Sequence, residues 1–259
     1  MAARIDPRAV VSPKAQLADD VEVGPFAVIG DDVVIGPRCW IGPHAVVNGP
    51  TSLGADNRVF QFASLGDAPQ DKKYNGEPTR LEVGDRNMFR EYCTVNRGTV
   101  TGNGVTRIGD DNMLLAYTHV GHDCTLGNKI VLSNLVMLGG HVELGDWVIM
   151  SGYAGAHQFS KIGAHAFIGN NTAVTRDVPP YVLASGHPAE PRSINSEGRK
   201  RRGFTAEQIR TIKNAYRVLY RSDLKLEDAV EKLKEMAVDH EELRIFVEFI
   251  GRATRSLVR

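Results

Sequence analysis

An aliphatic residue at every sixth position constrains this chain more than any other feature. Stepping by six from Ile5 meets Val11, Leu17, Val23, Ile29, Ile35, Ile41, Val47, Leu53, Val59 and Leu65 without a miss. A period of six is too short for any helical hairpin repeat and matches the hexapeptide parallel β-helix, each hexad being a short strand and a turn. Glycine follows the aliphatic at Gly24, Gly30, Gly36, Gly42, Gly54 and Gly66, where a residue without Cβ is expected to take positive φ. Two positions before the aliphatic stand Ala9, Ala15, Ala27, Ala45 and Ala63, side chains suited to a narrow interior.

The period breaks between Gly66 and Leu81 and resumes at Val83, Phe89 and Val95, so an insertion of three whole hexads is expected to bulge out, carrying Asp71, Lys72, Lys73 and Tyr74. A second break, Arg97 to Arg107, is rich in Gly and Thr and shifts the register by one residue. The repeat then runs in phase through Ile108, Leu114, Val120, Leu126, Leu132, Leu138, Leu144, Met150, Ala156, Ile162, Ile168 and Val174. Loops of this length in a compact domain are usually functional. After Asp177-Val178-Pro179-Pro180 the repeat stops and the pattern becomes helical. Thr205 with Gln208, and Asp239 with Glu242, have capping-box spacing. Ile209, Ile212, Ala215, Tyr216 and Leu219 fall at helical intervals, as do Ala229, Leu233 and Met236, then Leu243, Val247 and Ile250. The chain thus divides into a mainly β domain over 1–190, with loops at 66–82 and 97–107, and a helical domain over 191–259. That bundle is expected to cover an end of the β-helix, which would otherwise present unpaired backbone.

Composition narrows the function classes. Lys plus Arg and Asp plus Glu both number 31, so no bulk charge points to nucleic acid or an anionic membrane surface. Cys39, Cys93 and Cys124 are odd in number and lack CxxC spacing, which speaks against a disulfide framework or structural zinc and for a reducing compartment. Met1 to Ala9 has no apolar core of a signal peptide, and no stretch reaches the roughly 18 apolar residues of a membrane span. A cytoplasmic protein with no stable membrane insertion is expected.

Four of the eight histidines, His119, His122, His141 and His157, fall in the second half of the repeat, outside its aliphatic and small positions. They should point outward. If three hexads make one coil, His122 lies beneath Gly140 and His141, and these beneath His157 and Gln158, on coils about 4.8 Å apart. Such a column suits general-base catalysis near neutral pH, a metal site, or a merely polar outer face. Residues three apart on an extended strand point to opposite faces, so His119 and His122 make a poor bidentate pair. His44, His165, His187 and His240 read as surface residues.

The segment His119-Val120-Gly121-His122-Asp123-Cys124, with Gln70-Asp71-Lys72-Lys73-Tyr74 and Gly76-Glu77-Pro78-Thr79-Arg80, resembles the UDP-N-acetylglucosamine O-acyltransferase family, which performs the first acylation of lipid A synthesis. Arg97-Gly98-Thr99, Ala156-His157-Gln158-Phe159, Asp177-Val178-Pro179-Pro180-Tyr181-Val182 and Lys200-Arg201-Arg202-Gly203-Phe204 extend the likeness over nearly the whole chain. The resemblance implies a three-sided, left-handed parallel β-helix and a homotrimer with sites in the clefts between subunits.

It also implies roles residue by residue. His122 would be the general base for the sugar 3-hydroxyl, Asp123 would orient it, and the Gly140 N–H would stabilise the oxyanion formed when a 3-hydroxyacyl thioester on acyl carrier protein is attacked. No metal or other cofactor is required. Asp71, Lys73, His119, His141 and Gln158 would contact the sugar and acyl groups, with His157 in the same neighbourhood. Asn195, Glu197, Arg201 and Arg202 match nucleotide-binding positions. Asn170 stands where long-chain members carry Gly at the end of the acyl tail, so its bulk is expected to favour chains below ~14 carbons. Asn96 stands where some relatives carry His.

Three other functions compete. An N-acyltransferase of the same pathway carries an extra N-terminal domain before its repeat, a metal-dependent hydratase would need stoichiometric zinc, and a structural β-helix would need no histidine column. Whether the acceptor atom is oxygen or nitrogen stays open.

Overall fold

The computed structural model describes residues 2–259. The hexads form strands of mostly two residues, such as Arg4–Ile5, Val10–Val11 and Gln16–Leu17, and every third strand belongs to the same sheet. Three interleaved parallel sheets of eleven, nine and eight strands result. Val23 pairs with Ile41 on the first face, Ile29 with Val47 on the second and Ile35 with Leu53 on the third, so one coil is eighteen residues. The side view is a prism with three faces.

The repeated aliphatics and the small residues two positions earlier fill the interior: Ala27, Ile41, Ala45, Val47, Ala63 and Leu65 are all fully buried. Cys39, Cys93 and Cys124 are free thiols at this inner layer, and burial pushes the Cys124 thiol up to about 12. A buried amide ladder runs alongside: Asn57 Oδ1 accepts from the Asn87 N–H, Asn87 Oδ1 from Asn112, and Asn112 Oδ1 from Ile130, at 2.8–2.9 Å. Each satisfies a corner N–H that the short strands leave unpaired.

The expected role of the glycines is corrected. Gly24, Gly30, Gly36, Gly42 and Gly54 do not have positive φ; that conformation falls two residues later, on Phe26, Asp32, Arg38, His44 and Asp56. Only Gly66 of the set combines both. Gly24, Gly36, Gly42 and Gly54 are required by the approach of the next coil, whereas at Gly30 a Cβ would meet nothing nearer than the Asn48 side chain at 3.3 Å. A Cβ on Gly36 would sit 2.6 Å from the Gly54 carbonyl, and one on Gly42 2.9 Å from the Val59 oxygen. The left-handed corner residues gain instead from coil-to-coil hydrogen bonds, such as His44 N–H to Pro25 O at 3.1 Å and Tyr117 N–H to Glu91 O at 3.0 Å.

The first loop is also shorter than expected. Val83 pairs with Leu53, thirty residues back, so the excess over one coil is two hexads rather than three. Ile108 pairs with Val83 at an offset of twenty-five, which is the one-residue shift in phase added to a hexad.

The sheet leaves the prism through the antiparallel pair Val182–Ser185 and Glu190–Ile194, so sheet pairing runs four residues past 190. Helices α1 (Ser196–Arg201), α2 (Ala206–Tyr220), α3 (Leu226–Asp239) and α4 (Arg244–Arg252) follow. Thr205 and Gln208 form a capping box at α2. Asp239 does not cap: it is the last residue of α3, and the turn Glu241–Leu243 that follows has no side-chain cap. The buried faces are Ile212, Ala215, Tyr216 and Leu219, then Ala229, Leu233 and Ala237, then Leu243, Phe246 and Phe249. The C-terminus returns to the last coil. Val258 N–H donates to Asp177 O at 2.9 Å, and the buried Asp177 carboxylate accepts from the N–H groups of Lys161, Thr254 and Arg255.

The two kinds of glycine predict opposite outcomes. Gly36→Ala forces backbone apart and lowers the thermal unfolding midpoint. Gly152→Ala, whose Cβ would meet only the Asn134 oxygen at 3.4 Å, leaves it unchanged or raises it, through about 0.4–1 kcal/mol of reduced unfolded-chain entropy. Circular dichroism melts of the two variants check this.

Candidate active site

The corner between the second and third faces brings the histidine column together. His141 N–H donates to His122 O at 2.9 Å, and Phe159 N–H to Gly140 O at 3.0 Å, so His122–Asp123, Gly140–His141 and Gln158–Phe159 stack on successive coils. Asp123, His141 and Phe159 all have positive φ. Adjacent side chains on a strand diverge, but His122 and Asp123 occupy the corner turn and their side chains converge. The His122 Nδ1–H donates to Asp123 Oδ2 at 2.8 Å.

Asp123 is buried and heavily hydrogen-bonded. The Thr99 N–H reaches both carboxylate oxygens at 3.1 Å, the Thr99 hydroxyl donates to Oδ2 at 2.7 Å, and the Asn103 N–H donates to Oδ1 at 3.1 Å. Burial by itself would raise this carboxyl; the hydrogen bonds from His122 and Thr99 outweigh it and hold the group below the ordinary carboxylate range. An ionised Asp123 fixes the proton on His122 Nδ1 and leaves Nε2 as the free acceptor. That face of the ring meets Gly140, where a Cβ would lie 2.7 Å from Nε2 and 2.6 Å from Cε1. Among the described residues no backbone acceptor takes the Gly140 N–H.

A cleft of about 720 Å³ opens here, and His119, His122, Gly140, His157 and Gln158 line it. His119 is held by Thr94 Oγ1 at 2.8 Å from its Nδ1. Burial, with a smaller effect from His122, lowers its basicity. His141 stands just behind, its Nε2 3.8 Å from Asp123 Oδ2 and its ring stacked on Phe159 at 4.3 Å. Burial lowers His141 too, against the pull of Asp123. The outward column of the second face continues from His119 to Met137, Gly155 and Ala173, and all three line the cleft floor. The small side chains at Gly155 and Ala173 leave a groove.

Other expected positions do not line the cleft, although Asp71 borders it, next to the lining residue Gln70 and close enough for its charge to act on His141. Asp71 and Lys73 sit on the first loop, where Asp71 Oδ1 accepts the Lys73 N–H at 3.0 Å and the Lys73 side chain is exposed. Arg97 ties that loop down, donating to Gly49 O, Gly66 O and the Tyr74 hydroxyl at 2.8–3.0 Å. Asn195 caps α1 by accepting the Gly198 N–H, Glu197 pairs with Lys200 at 2.9 Å, and Arg201 is exposed. Arg202 donates to His165 Nδ1 at 2.9 Å and lies over Trp147. None of these lines the cleft within one copy of the chain, and neither does Asn170, which is exposed beside the lining residues Asn171 and Thr172.

One histidine read as a surface residue is not: His165 is stacked between Trp147 and Tyr181, where burial and then Arg202 and Arg199 push it down to about 4. His187 is exposed as expected and also lines the cleft. Gln70 and Asn96 also line the cleft. The Asn96 amide donates to Ala68 O at 2.9 Å, so it closes the base of the first loop. Counting eighteen from His119 would have found Met137; nothing periodic points to His187, which follows the end of the repeat.

His122, Asp123 and His141 offer ligand atoms within 4.8 Å of one another, the one such group among the described residues. His119 is outside it. Both oxygens of Asp123 already accept hydrogen bonds, and a cation there would have to displace the His122 Nδ1–H and the Thr99 hydroxyl. The donor set therefore fits a hydrogen-bonded acid–base pair better than a metal centre.

Comparison with known proteins agrees over the full length. A family model described as UDP N-acetylglucosamine O-acyltransferase, domain 2, matches residues 177–258. The acyl-[acyl-carrier-protein]--UDP-N-acetylglucosamine O-acyltransferase of Thiobacillus denitrificans is 52% identical over 257 residues, covering 99% of this chain and 100% of its own. That of Stenotrophomonas maltophilia is 54% identical over 259 residues, 100% of this chain and 98% of its own. Among solved structures, UDP-N-acetylglucosamine acyltransferase from Francisella novicida superposes with a TM-score of 0.97 at 43% identity, over 98% and 94% of the two chains. The Arabidopsis enzyme gives 0.85 at 30%, over 98% and 99%.

The Asp123 carboxyl makes a pH-dependent contribution with a definite sign. A carboxyl whose pKa falls on folding stabilises fully above its unfolded value, about 3.9, and loses this as pH drops through its folded value. Asp123→Asn should therefore lower the urea unfolding midpoint at pH 7, and the gap from wild type should narrow below about pH 4. A gap constant from pH 7 to pH 3 contradicts the assignment.

Proposed function

The chain belongs to the UDP-N-acetylglucosamine O-acyltransferase family and is an acyltransferase, and on that premise we propose that it transfers a 3-hydroxyacyl chain from acyl carrier protein to the 3-hydroxyl of UDP-N-acetylglucosamine, the first step of lipid A biosynthesis. The observation that carries the mechanism is the His122–Asp123 pair with Nε2 turned to Gly140 in the cleft.

His122 Nε2 takes the proton of the sugar hydroxyl as its oxygen attacks the thioester carbonyl carbon. The imidazolium that forms is stabilised by Asp123, which stays ionised. The tetrahedral oxyanion accepts the unengaged Gly140 N–H, and on collapse the carrier thiolate leaves with the proton from Nε2. His119 and His141, both made less basic by burial, serve at neutral pH as hydrogen-bonding contacts to sugar and acyl groups, with Gln158 and His157. The groove over Met137, Gly155 and Ala173 suits the acyl chain, and Asn170 limits its length.

Lys73, Asn195, Glu197, Arg201 and Arg202 do not line this cleft within one chain, and Asp71 only borders it beside Gln70. A homotrimer, in which a second copy supplies them for sugar and nucleotide, reconciles their family roles with that separation. The left hand of the coil and a cytoplasmic location belong to the same reading. Among the described residues no helix is long and apolar enough to cross a membrane.

The test is acyl transfer from a panel of 3-hydroxyacyl carrier proteins to UDP-N-acetylglucosamine. His122→Ala should lose at least ~100-fold with its fold intact, and a chelator should leave wild type unchanged. Chains below ~14 carbons should be preferred, and Asn170→Gly should shift the optimum upward by removing bulk. Equal activity in His122→Ala removes it as the base; a preference of wild type for longer chains removes Asn170 as the limit.

A further inference from the structure

The second insertion has so far only been placed. It leaves the prism after Asn96 and rejoins at Val105, and its inner surface is wrapped around one carboxylate. Thr99 contributes two donors to Asp123 and Asn103 a third, while the Asp123 N–H itself donates to Thr106 Oγ1 at 2.8 Å. The backbone passes so close that a Cβ on Gly102 would lie 2.4 Å from the Asp123 carboxyl carbon. Thr99 and Thr106 are fully or almost fully buried. Gly104, with φ of +70°, turns the chain back, and its N–H closes the loop on Thr99 O at 2.9 Å.

We propose that the 97–104 insertion is a carboxylate cradle and that Thr99 is a positioning residue for the reaction: its buried hydroxyl, donated to Asp123 Oδ2, sets how strongly that same oxygen binds the His122 Nδ1–H. The inference rests on His122 being the proposed base. The two shortest hydrogen bonds to Oδ2 come from the Thr99 hydroxyl at 2.7 Å and His122 Nδ1 at 2.8 Å, with the Thr99 N–H longer at 3.1 Å. Each weakens the oxygen as an acceptor for the other, so removing the hydroxyl makes Asp123 a stronger partner and His122 a more basic ring. The backbone donors of Thr99 and Asn103 remain, so the carboxylate stays in place. Thr99 thus keeps His122 from holding its proton once it has taken it.

The experiment compares wild type, Thr99→Val, Thr99→Ala and Thr99→Ser, with the ¹⁵N signals of the His122 ring followed against pH and acyl transfer measured alongside. In wild type the neutral ring should carry its proton on Nδ1. Val and Ala should raise the His122 titration midpoint, move the acid limb of kcat/KM to higher pH and lower kcat about ten- to a hundredfold, as loss of outer partners of a catalytic histidine does, with KM little changed. Ser, which keeps the hydroxyl, should restore all of these. An unchanged midpoint in Val and Ala overturns the proposal, and so does a defect that Ser fails to repair, since that would be a packing loss. The ring signals are read without substrate. A wild type that transfers no acyl chain would therefore sink the catalytic mechanism and still leave the cradle decided by the spectrum.

Discussion

In-register pairing of each coil with the next, eighteen residues on wherever no insertion intervenes, is the constraint from which the rest of the molecule follows. Strands of two residues have no stability of their own, and only the continuous parallel ladder and the shared interior hold them. A slip of one residue along a face would turn Val23, Ile41 and Val59 outward together. Both insertions obey this although neither has the length of a coil. The chain leaves at the same corner each time and rejoins the third face in register, Leu81 beside Thr51 and Thr106 beside Leu81. What must be conserved is the point of re-entry; the residues between are free for other uses.

The same pairing turns every corner into a column. The left-handed corner residue donates its N–H to the carbonyl of the corner below, which aligns the side chains of successive coils. At the corner between the first and second faces this yields stacked rings, Phe26, His44, Phe62, Tyr92 and Tyr117, with centroids 4.8–5.1 Å apart. At the corner between third and first it yields charges of alternating sign, where Arg38 pairs with Asp56 and Arg86 with Asp111; exposed as they are, these pairs contribute little to stability. The corner between second and third carries His122, Asp123, His141 and Phe159. The candidate site is thus an ordinary corner with unusual residues. Asp and His also tolerate positive φ better than most L-residues, so the conformation that makes the two side chains converge is met by the residues the chemistry needs.

Periodic features were legible in the sequence and aperiodic ones were not. The hexads gave the interior, and counting eighteen from His122 gave Gly140 and Gln158 before any coordinates. Periodicity did not reveal why the glycines recur, because close approach and positive φ both favour Gly, and only the neighbouring backbone distinguishes them. Nor did it reveal that Thr99 holds Asp123, since an insertion has no repeat to count along. The Asp239 cap failed because α3 continues through that residue, and His165 was misjudged because the helices cover that corner. For the glycines, Thr99 and His165 the deciding contact comes from a segment far away in sequence.

His119 and His122 line the cleft and His141 stands behind it, and their partners separate the three. His119 is tied to a hydroxyl and buried, which favours the neutral ring. His141 lies near Asp123 but beyond hydrogen-bond distance, and burial lowers its basicity as well. His122 alone combines a direct carboxylate partner on one nitrogen with an open second nitrogen facing the cleft. A base must gain a proton without being charged beforehand. Asp123 serves that end only if it is ionised yet not too strong an acceptor, which requires burial and several donors at once. The corner turn itself does not supply those donors, the Asp123 N–H being engaged with Thr106 Oγ1. They have to come from outside the repeat, and the segment that breaks the repeat is where they are found.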